Sequence, residues 1–331
     1  MTDAIVIGAG VNGLTAATYL ARGGMKVVVL EARKVIGGLA STHEFAPGFR
    51  ASVGPENCGL LLSEVIGDLE LGRHGLELLT PDEVTFVPAR VGAGLLLWRD
   101  AARSAEEIGK LSRKDAEAFP RFAALVETIA SFLKLVLAKP APTPRIESGS
   151  DLMELLKLGW GFKQLGTRTM HEALRVLPMA IQDFLNEWFE NDLVKAALGA
   201  GALEGVCLGP RSAGTAALFL YNQMGERKLA RGGTGGVAQA LAKALESRGG
   251  TLRTDARVKT ILVEDGRAAG VTLQNGDELR APVVISTLAP RTTFEDLSEP
   301  SHLPPTYVSE IDNIRYRGVT AKLNLALSAL P

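Results

Sequence analysis

The chain is poor in cysteine, histidine and the larger aromatics: its 331 residues include 2 Cys, 4 His, 4 Tyr and 3 Trp. Cys58 and Cys207 stand far apart with no C-x-x-C pair. That excludes a disulfide framework and argues against a local redox dithiol. His43, His74, His171 and His302 occur singly, at no spacing a metal centre uses, so no metal site is predicted. No apolar run reaches the roughly 18 residues of a membrane span. An excess of either charge is missing too. With 36 Lys and Arg against 37 Asp and Glu, the net charge is −1, and no basic field points to nucleic acid. Residues 1–30 read as strand, turn and helix rather than a signal peptide, which sets the expectation of a cytoplasmic chain.

What is present is an ordinary globular balance, 46% apolar and 22% charged, in a chain long enough for about two domains. The informative stretch is "AIVIGAGVNGLTAATYLARGGMKVVVLEA", residues 4–32. Its β-branched run over 4–7, closed by glycine, predicts a buried parallel strand. Gly8, Gly10 and Gly13 fit G-x-G-x-x-G, a helix is predicted over 12–22, Gly23-Gly24 stops it, and 26–30 make a second strand. In that setting Gly8 permits the tight turn, Gly10 lets backbone approach a pyrophosphate, and Gly13 lets the helix pack on its strand. Ala9 and Val11 complete the turn, and the exposed amides of the helix start favour phosphate. Glu31 lies 18 residues past Gly13, where an acceptor for ribose hydroxyls belongs. A carboxylate there opposes a 2′-phosphate, which argues against NADP, while spacing leaves NAD and FAD open.

A Gly-Gly pair, Gly37-Gly38, follows the acid, and "PGFRASVGP" reads as a short strand closed by a Gly54-Pro55 turn. Residues 64–79 read as helix, break and strand, and 84–98 as two strands with a turn near Gly92. Helical periodicity then takes over, with Phe122, Val126, Ile129, Leu133 and Val136 recurring at three- and four-residue steps. The Pro-rich "KPAPTPR" predicts a loop, and 151–165 and 178–198 resume helical patterns. This block reads as a second core, with a lid over an apolar pocket or a membrane-surface patch as alternatives. After it, Gly232–Gly236 precede a helix over 237–248. "EDGR" and "QNGDE" mark hairpin turns, and "VVIST" is a final strand ending in Ser286-Thr287. "GGTGG" lacks the Gly-Lys-Ser/Thr ending of a triphosphate loop, which argues against a nucleoside triphosphatase.

Together "GAGVNGL", "LEARKVIGGLAS", "PGFRASVGP", "LARGGTGGVAQALAKALESRGG" and "ARVKTILVEDGRAAGV" resemble the phytoene desaturase-like branch of the flavin-dependent amine oxidase and carotenoid desaturase superfamily. Two further stretches resemble a subgroup named for a pyridine nucleotide-disulphide oxidoreductase domain, although the dithiol that name implies is missing. They are "DLELGRHGLELL" and "MAIQDFLNEWFENDLVKAALGAGALEGVCLGPRSAGTAA". The resemblance implies FAD as cofactor. It implies phosphate-side contacts from Gly37 and Gly38 with the neighbouring Leu39 and Ala40, and contacts from Ala32 and Arg33 beside Glu31. It also implies adenine contact through the Val258 backbone, Ser286 and Thr287 lining the nucleotide half, and Gly54 and Pro55 near the flavin ring. Leu39 departs from the family pattern, which often has Arg there. The resemblance further implies a second glycine-rich segment beyond "AKLNLALSALP", so a shortened chain, self-association or a complementing C-terminal segment is expected.

The fold class expected is α/β: a Rossmann-like, three-layer FAD-binding domain from 1–80 and 225–300. A helix-rich α+β substrate domain, 81–224 with 301–331, would be inserted in it. The leading reading is an FAD-dependent oxidoreductase taking hydride from a small apolar or isoprenoid-like substrate. No catalytic acid or base is named. A flavin amine oxidase is the alternative, weakened by the scarcity of Tyr and Trp for an aromatic cage. A catalytically incompetent flavoprotein-like scaffold acting through a partner is the third.

Overall fold

The computed structural model describes residues 2–89, 94–138, 149–316 and 318–329. The predicted turn near Gly92 and the "KPAPTPR" loop lie outside them. The chain divides into two compact units, Met1–Leu79 with Lys228–Tyr316 and Ala321–Pro331, and Thr80–Arg227 with Arg317–Thr320.

The first unit begins with β1 (Ala4–Ile7), α1 (Val11–Arg22) and β2 (Val27–Leu30). It continues through β3 (Thr42–Ala46), β4 (Phe49–Ser52), α2 (Ser63–Asp68) and β5 (Leu78–Leu79). β1 is buried along its whole length, as a strand covered on both faces must be. The α1 helix follows the sequence reading, but β3 and β4 form an antiparallel hairpin where one strand is predicted. Helix α2 is a short helix of six residues, since Gly67 and the positive φ of Glu70 close it early.

The chain then crosses to the second unit. Its elements are β6 (Glu83–Val87), β7 (Leu95–Trp98), α3 (Ala101–Gly109), α4 (Arg113–Leu137) and α5 (Gly149–Gln164). After them come α6 (Gly166–Val176), α7 (Ile181–Asn186), α8 (Asp192–Gly199) and α9 (Thr215–Asn222). Phe122 sits at the centre of the core, with the rings of Phe184, Trp188, Phe189 and Phe219 4.9–6.1 Å away. Aromatic side chains carry the largest apolar area per residue, so each ring buried here contributes more than an aliphatic neighbour. The helical pattern over 178–198 breaks between α7 and α8. There the buried Asp115 carboxylate accepts the amides of Glu190 and Asn191, and the Asn191 side chain caps α8.

Back in the first unit run β8 (Leu229–Ala230), α10 (Gly235–Glu246), β9 (Thr251–Arg253) and β10 (Val258–Glu264). They are followed by β11 (Arg267–Leu273), β12 (Glu278–Arg280), β13 (Val283–Ser286) and α11 (Pro305–Asp312). The parallel sheet has the order β13-β1-β2-β9, so its two outer strands come from a segment more than two hundred residues after its two inner ones. Helices α1 and α10 share one apolar core against it, through Leu14, Ala17, Ala238 and Leu241. On its other face Ile5, Ile7 and Leu30 pack with Val258, Val271 and Leu273 of the antiparallel β10-β11-β12 sheet. That gives the three layers expected of this class. In the β10–β11 turn, Asp265 and Gly266 both have positive φ, as an Asp-Gly hairpin requires.

One expected boundary is corrected. Residues 301–316 and 321–331 group with the first unit rather than with the helical one. Side-chain bonds fix them there: Arg291 donates to the carbonyl of Asp312, and Lys322 pairs with Glu56 at 3.0 Å. The strand-like run at the end forms no strand among the described residues.

Candidate functional site

Gly8 turns the chain sharply out of β1 with φ +100°, its amide bonded to the Leu30 carbonyl at 2.8 Å. Gly10 then starts α1 in an extended conformation with no side-chain cap. The first amides of α1 have no acceptor inside the helix, and no acidic residue occupies its first turn. A Cβ added at Gly10 would meet nothing within 4 Å, so the space over this turn is open. Gly13 is the opposite case. A Cβ there would stand 2.0 Å from the Gly8 carbonyl oxygen, so only glycine lets α1 approach β1 this closely.

Glu31 follows β2 directly and is buried. Its Oε2 accepts the Ala9 amide at 2.9 Å and its Oε1 the Arg33 amide at 3.0 Å, with Arg33 Nε 3.6 Å away. The carboxylate therefore faces the glycine turn and fixes its shape. The Gly-Gly pair reaches the same place. The Gly37 amide donates to the Ala9 carbonyl at 2.8 Å, and a Cβ on Gly38 would lie 3.5 Å from Gly10 Cα.

Backbone bonds bring the distant candidates to this end of the sheet. The Glu31 amide donates to the Arg253 carbonyl and its carbonyl accepts from the Ala256 amide, both at 2.9 Å. Val258 follows two residues on, buried and paired with Leu273. Thr287 Oγ1 and its own amide both donate to the Ile7 carbonyl at 3.0 Å. Ser286 Oγ pairs with Thr293 Oγ1 at 2.7 Å. Both hydroxyls are thus bonded within the fold, Thr287 bracing the turn, while the two residues stay half-buried. Ala32 and Ala40 are partly exposed beside Arg33 and Leu39, and Leu39 projects outward, 72% exposed. Gly54 packs on Leu39, its amide 2.9 Å from that residue's carbonyl, and a Cβ on it would clash there at 2.7 Å. Pro55 follows at the surface.

Lys322 is the residue that sequence reasoning passed over. Its ammonium donates to the Gly54 carbonyl and to Glu56 Oε1, each at 3.0 Å. The available signal was one cation inside the alternating apolar run "VTAKLNLAL".

The "GGTGG" turn has a packing role. A Cβ on Gly233 or Gly235 would stand 2.5 or 2.8 Å from Thr42 Oγ1. The amides of Thr234 and Gly235 are already taken by Ser52 Oγ and Thr42 Oγ1 at 3.1 and 2.9 Å. Among the described residues no cluster of His, Cys, Asp or Glu could hold a metal ion.

An uncapped helix start, an open approach at Gly10 and a buried acid facing the turn suit a dinucleotide diphosphate. Comparison with known proteins decides which kind. The model of the flavin containing amine oxidoreductases matches residues 12–326. The chain belongs to that family. Membership makes the cofactor FAD rather than NAD, the alternative left open by motif spacing. Within the wider superfamily the chain is 36% identical over 354 aligned residues to mouse pyridine nucleotide-disulfide oxidoreductase domain-containing protein 2. That alignment takes in 99% of this chain and 60% of the mouse protein. It is 30% identical to one of the polypeptides of limonene dehydrogenase from Castellaniella defragrans, over 88% of this chain and 52% of that protein. The chain thus spans about 60% or less of the length of these curated relatives. Among solved structures, an oxidoreductase from Methanosarcina mazei superposes with a TM-score of 0.60 at 18% identity. It covers 95% of this chain and 66% of the other. That likeness shows the fold.

Proposed function

We propose that this protein is an FAD-dependent oxidoreductase that takes hydride from an apolar, isoprenoid-like substrate. The observation that carries the cofactor half is the open space over Gly10, beside uncapped α1 amides and the buried Glu31. FAD, when bound, supplies the hydride acceptor, which leaves binding, orientation and water exclusion to the chain. In this reading the Val11 and Asn12 amides hold the diphosphate, and Gly37 and Gly38 close over it. Glu31 holds the turn through Ala9 and keeps lone pairs for the ribose hydroxyls. The Val258 backbone serves the adenine. Gly54 and Pro55 serve the ring end, where Lys322, paired with Glu56, holds the Gly54 carbonyl in place. The named relatives support the substrate class: limonene dehydrogenase and phytoene desaturase are named for hydrocarbons without an ionisable group.

Amine oxidation is the second reading, favoured by the family's own description. Two measurements separate the cases. Purified protein mixed with FAD and passed over a desalting column is expected to keep a flavin absorption band. A folded sample without one at saturating FAD overturns the cofactor reading. Anaerobic bleaching by apolar polyenes, without peroxide release from a panel of amines in air, is expected for the hydrocarbon reading. The reverse pattern assigns the protein to amines.

A further inference from the structure

We propose that His43 is a positioning residue for the cofactor: through Ser41 it fixes the Gly38 peptide that closes over the diphosphate. This role rests on the FAD reading above, which leaves the histidine without a task. Ser41 links the other two. Its hydroxyl donates to the Gly38 carbonyl at 2.8 Å, and His43 Nε2 lies 3.0 Å from the same hydroxyl oxygen. A serine has one hydroxyl hydrogen, and a carbonyl only accepts. The hydrogen is therefore committed to Gly38, the Ser41 oxygen accepts from the ring, and His43 Nε2 carries the donated proton. The neutral Nε2–H ring and the imidazolium both supply that donor, so the link holds in either charge state.

The fold places each member of the chain of bonds. Ser41 is extended, directly precedes β3 and is 1% exposed. Alternation along an extended segment puts Ser41 and His43 on one face and Thr42 on the other, where Thr42 bonds the start of α10. Strand β4 holds the register: His43 pairs with Ala51, and the Val53 amide donates to the Ser41 carbonyl at 2.9 Å.

The receiving peptide is the one that most needs a hold. Gly37 and Gly38 both have positive φ, +104° and +59°, and glycine has the most backbone freedom to lose. The Ser41 amide also reaches the Gly38 carbonyl, but at 3.3 Å, a long bond beside that of the hydroxyl. In a planar trans peptide the Leu39 N–H points opposite to the Gly38 carbonyl. A carbonyl drawn toward Ser41 therefore turns that N–H away from it, and the peptide is kept from rotating. A backbone bridge joins Gly37 to Gly10, so any rotation here is felt at the glycine turn.

The test is a fluorescence-quenching titration of the whole 331-residue protein with FAD, with phosphorus NMR of the bound cofactor. His43→Leu removes the donor and should weaken FAD about three- to tenfold. His43→Gln offers an amide N–H in its place and should restore most of the affinity. The phosphorus resonances of bound FAD should shift in His43→Leu and return in His43→Gln, a pattern that lost packing alone does not produce. Ser41→Ala should weaken FAD as well, and adding His43→Leu to it should cost little more, since both act through one hydroxyl. Urea midpoints near the parent's check folding. His43 is only half-buried, so its two variants carry the test even if Ser41→Ala fails to fold. Equal affinity and unshifted resonances in His43→Leu, with FAD bound by the parent, overturn this role and leave the cofactor reading standing. Weakening that His43→Gln does not restore also overturns it. A folded parent that binds no FAD overturns the cofactor reading, and this role with it.

Discussion

The hydroxyl of Thr42 accepts the amide of Gly235 at 2.9 Å across 193 residues of sequence. Helix α10 has no side-chain cap of its own, and the β3–β4 hairpin supplies one through Thr42 and Ser52. Thr42→Val keeps the shape and leaves that amide without an acceptor. It is expected to cost about 1–2 kcal/mol in urea unfolding, with Thr42→Ser restoring most of it. Because both hydroxyls serve one helix end, Thr42→Val and Ser52→Ala combined should depart from additivity.

Two of the three glycines of the amino-terminal turn, Gly13 and Gly10, should separate folding from binding. Gly13→Ala puts a methyl against the Gly8 carbonyl and forces α1 off the sheet. A loss of about 2–4 kcal/mol in denaturant unfolding is expected, with flavin lost alongside. Gly10→Ala places its methyl in open space at φ −72°, an ordinary backbone angle. Its unfolding midpoint should stay near that of the parent, while flavin retained after desalting falls. Equal retention in Gly10→Ala and the parent would remove the diphosphate from this turn.

Glu31 works through donors on both oxygens. Glu31→Gln replaces one acceptor oxygen by an amide group that faces another N–H, and Glu31→Ala leaves the buried Ala9 amide unpaired. Stability losses of about 1–3 kcal/mol are expected for the alanine variant and less for the glutamine. Both should bind FAD more weakly in a fluorescence-quenching titration.

The two thiols should behave oppositely. Cys207 is exposed and Cys58 buried. Burial pushes the Cys58 thiol above its ordinary range, partly offset by a backbone hydrogen bond at Ala230. A disulfide reagent should therefore modify Cys207 quickly and Cys58 only on unfolding. A raised pKa means that the folded chain holds this proton more tightly than the unfolded one. The resulting stabilisation is complete below the ordinary thiol pKa and is lost as pH rises through the elevated one. Thermal melts of Cys58→Ala should fall less steeply over the alkaline range than those of the parent.

Local rules made the β1–α1–β2 segment, the Asp-Gly hairpin and the α4 periodicity legible, since each depends on residues a few positions apart. The three glycines and Glu31 were readable for the same reason. Thr287 was a candidate on the strength of a resemblance, but its role as a brace depends on β13 lying beside β1, which no local pattern encodes. Lys322 was invisible for a related reason. A lone cation in an apolar run gains meaning only when the Gly54 carbonyl stands 3.0 Å away. The capping of α10 by Thr42 and Ser52 likewise exists only after the hairpin has folded against it.

Thr287 reaches back 280 residues to hold the Ile7 carbonyl. On the ribosome, the glycine turn therefore emerges well before Thr287 and must wait, unsupported, while the residues between them are translated. Contacts so remote in sequence close slowly. A nascent chain halted within the helical unit would carry an unfinished sheet whose β1 and β2 each lack a neighbour. That is when chaperones would be needed most, and when a protease would find its easiest cut.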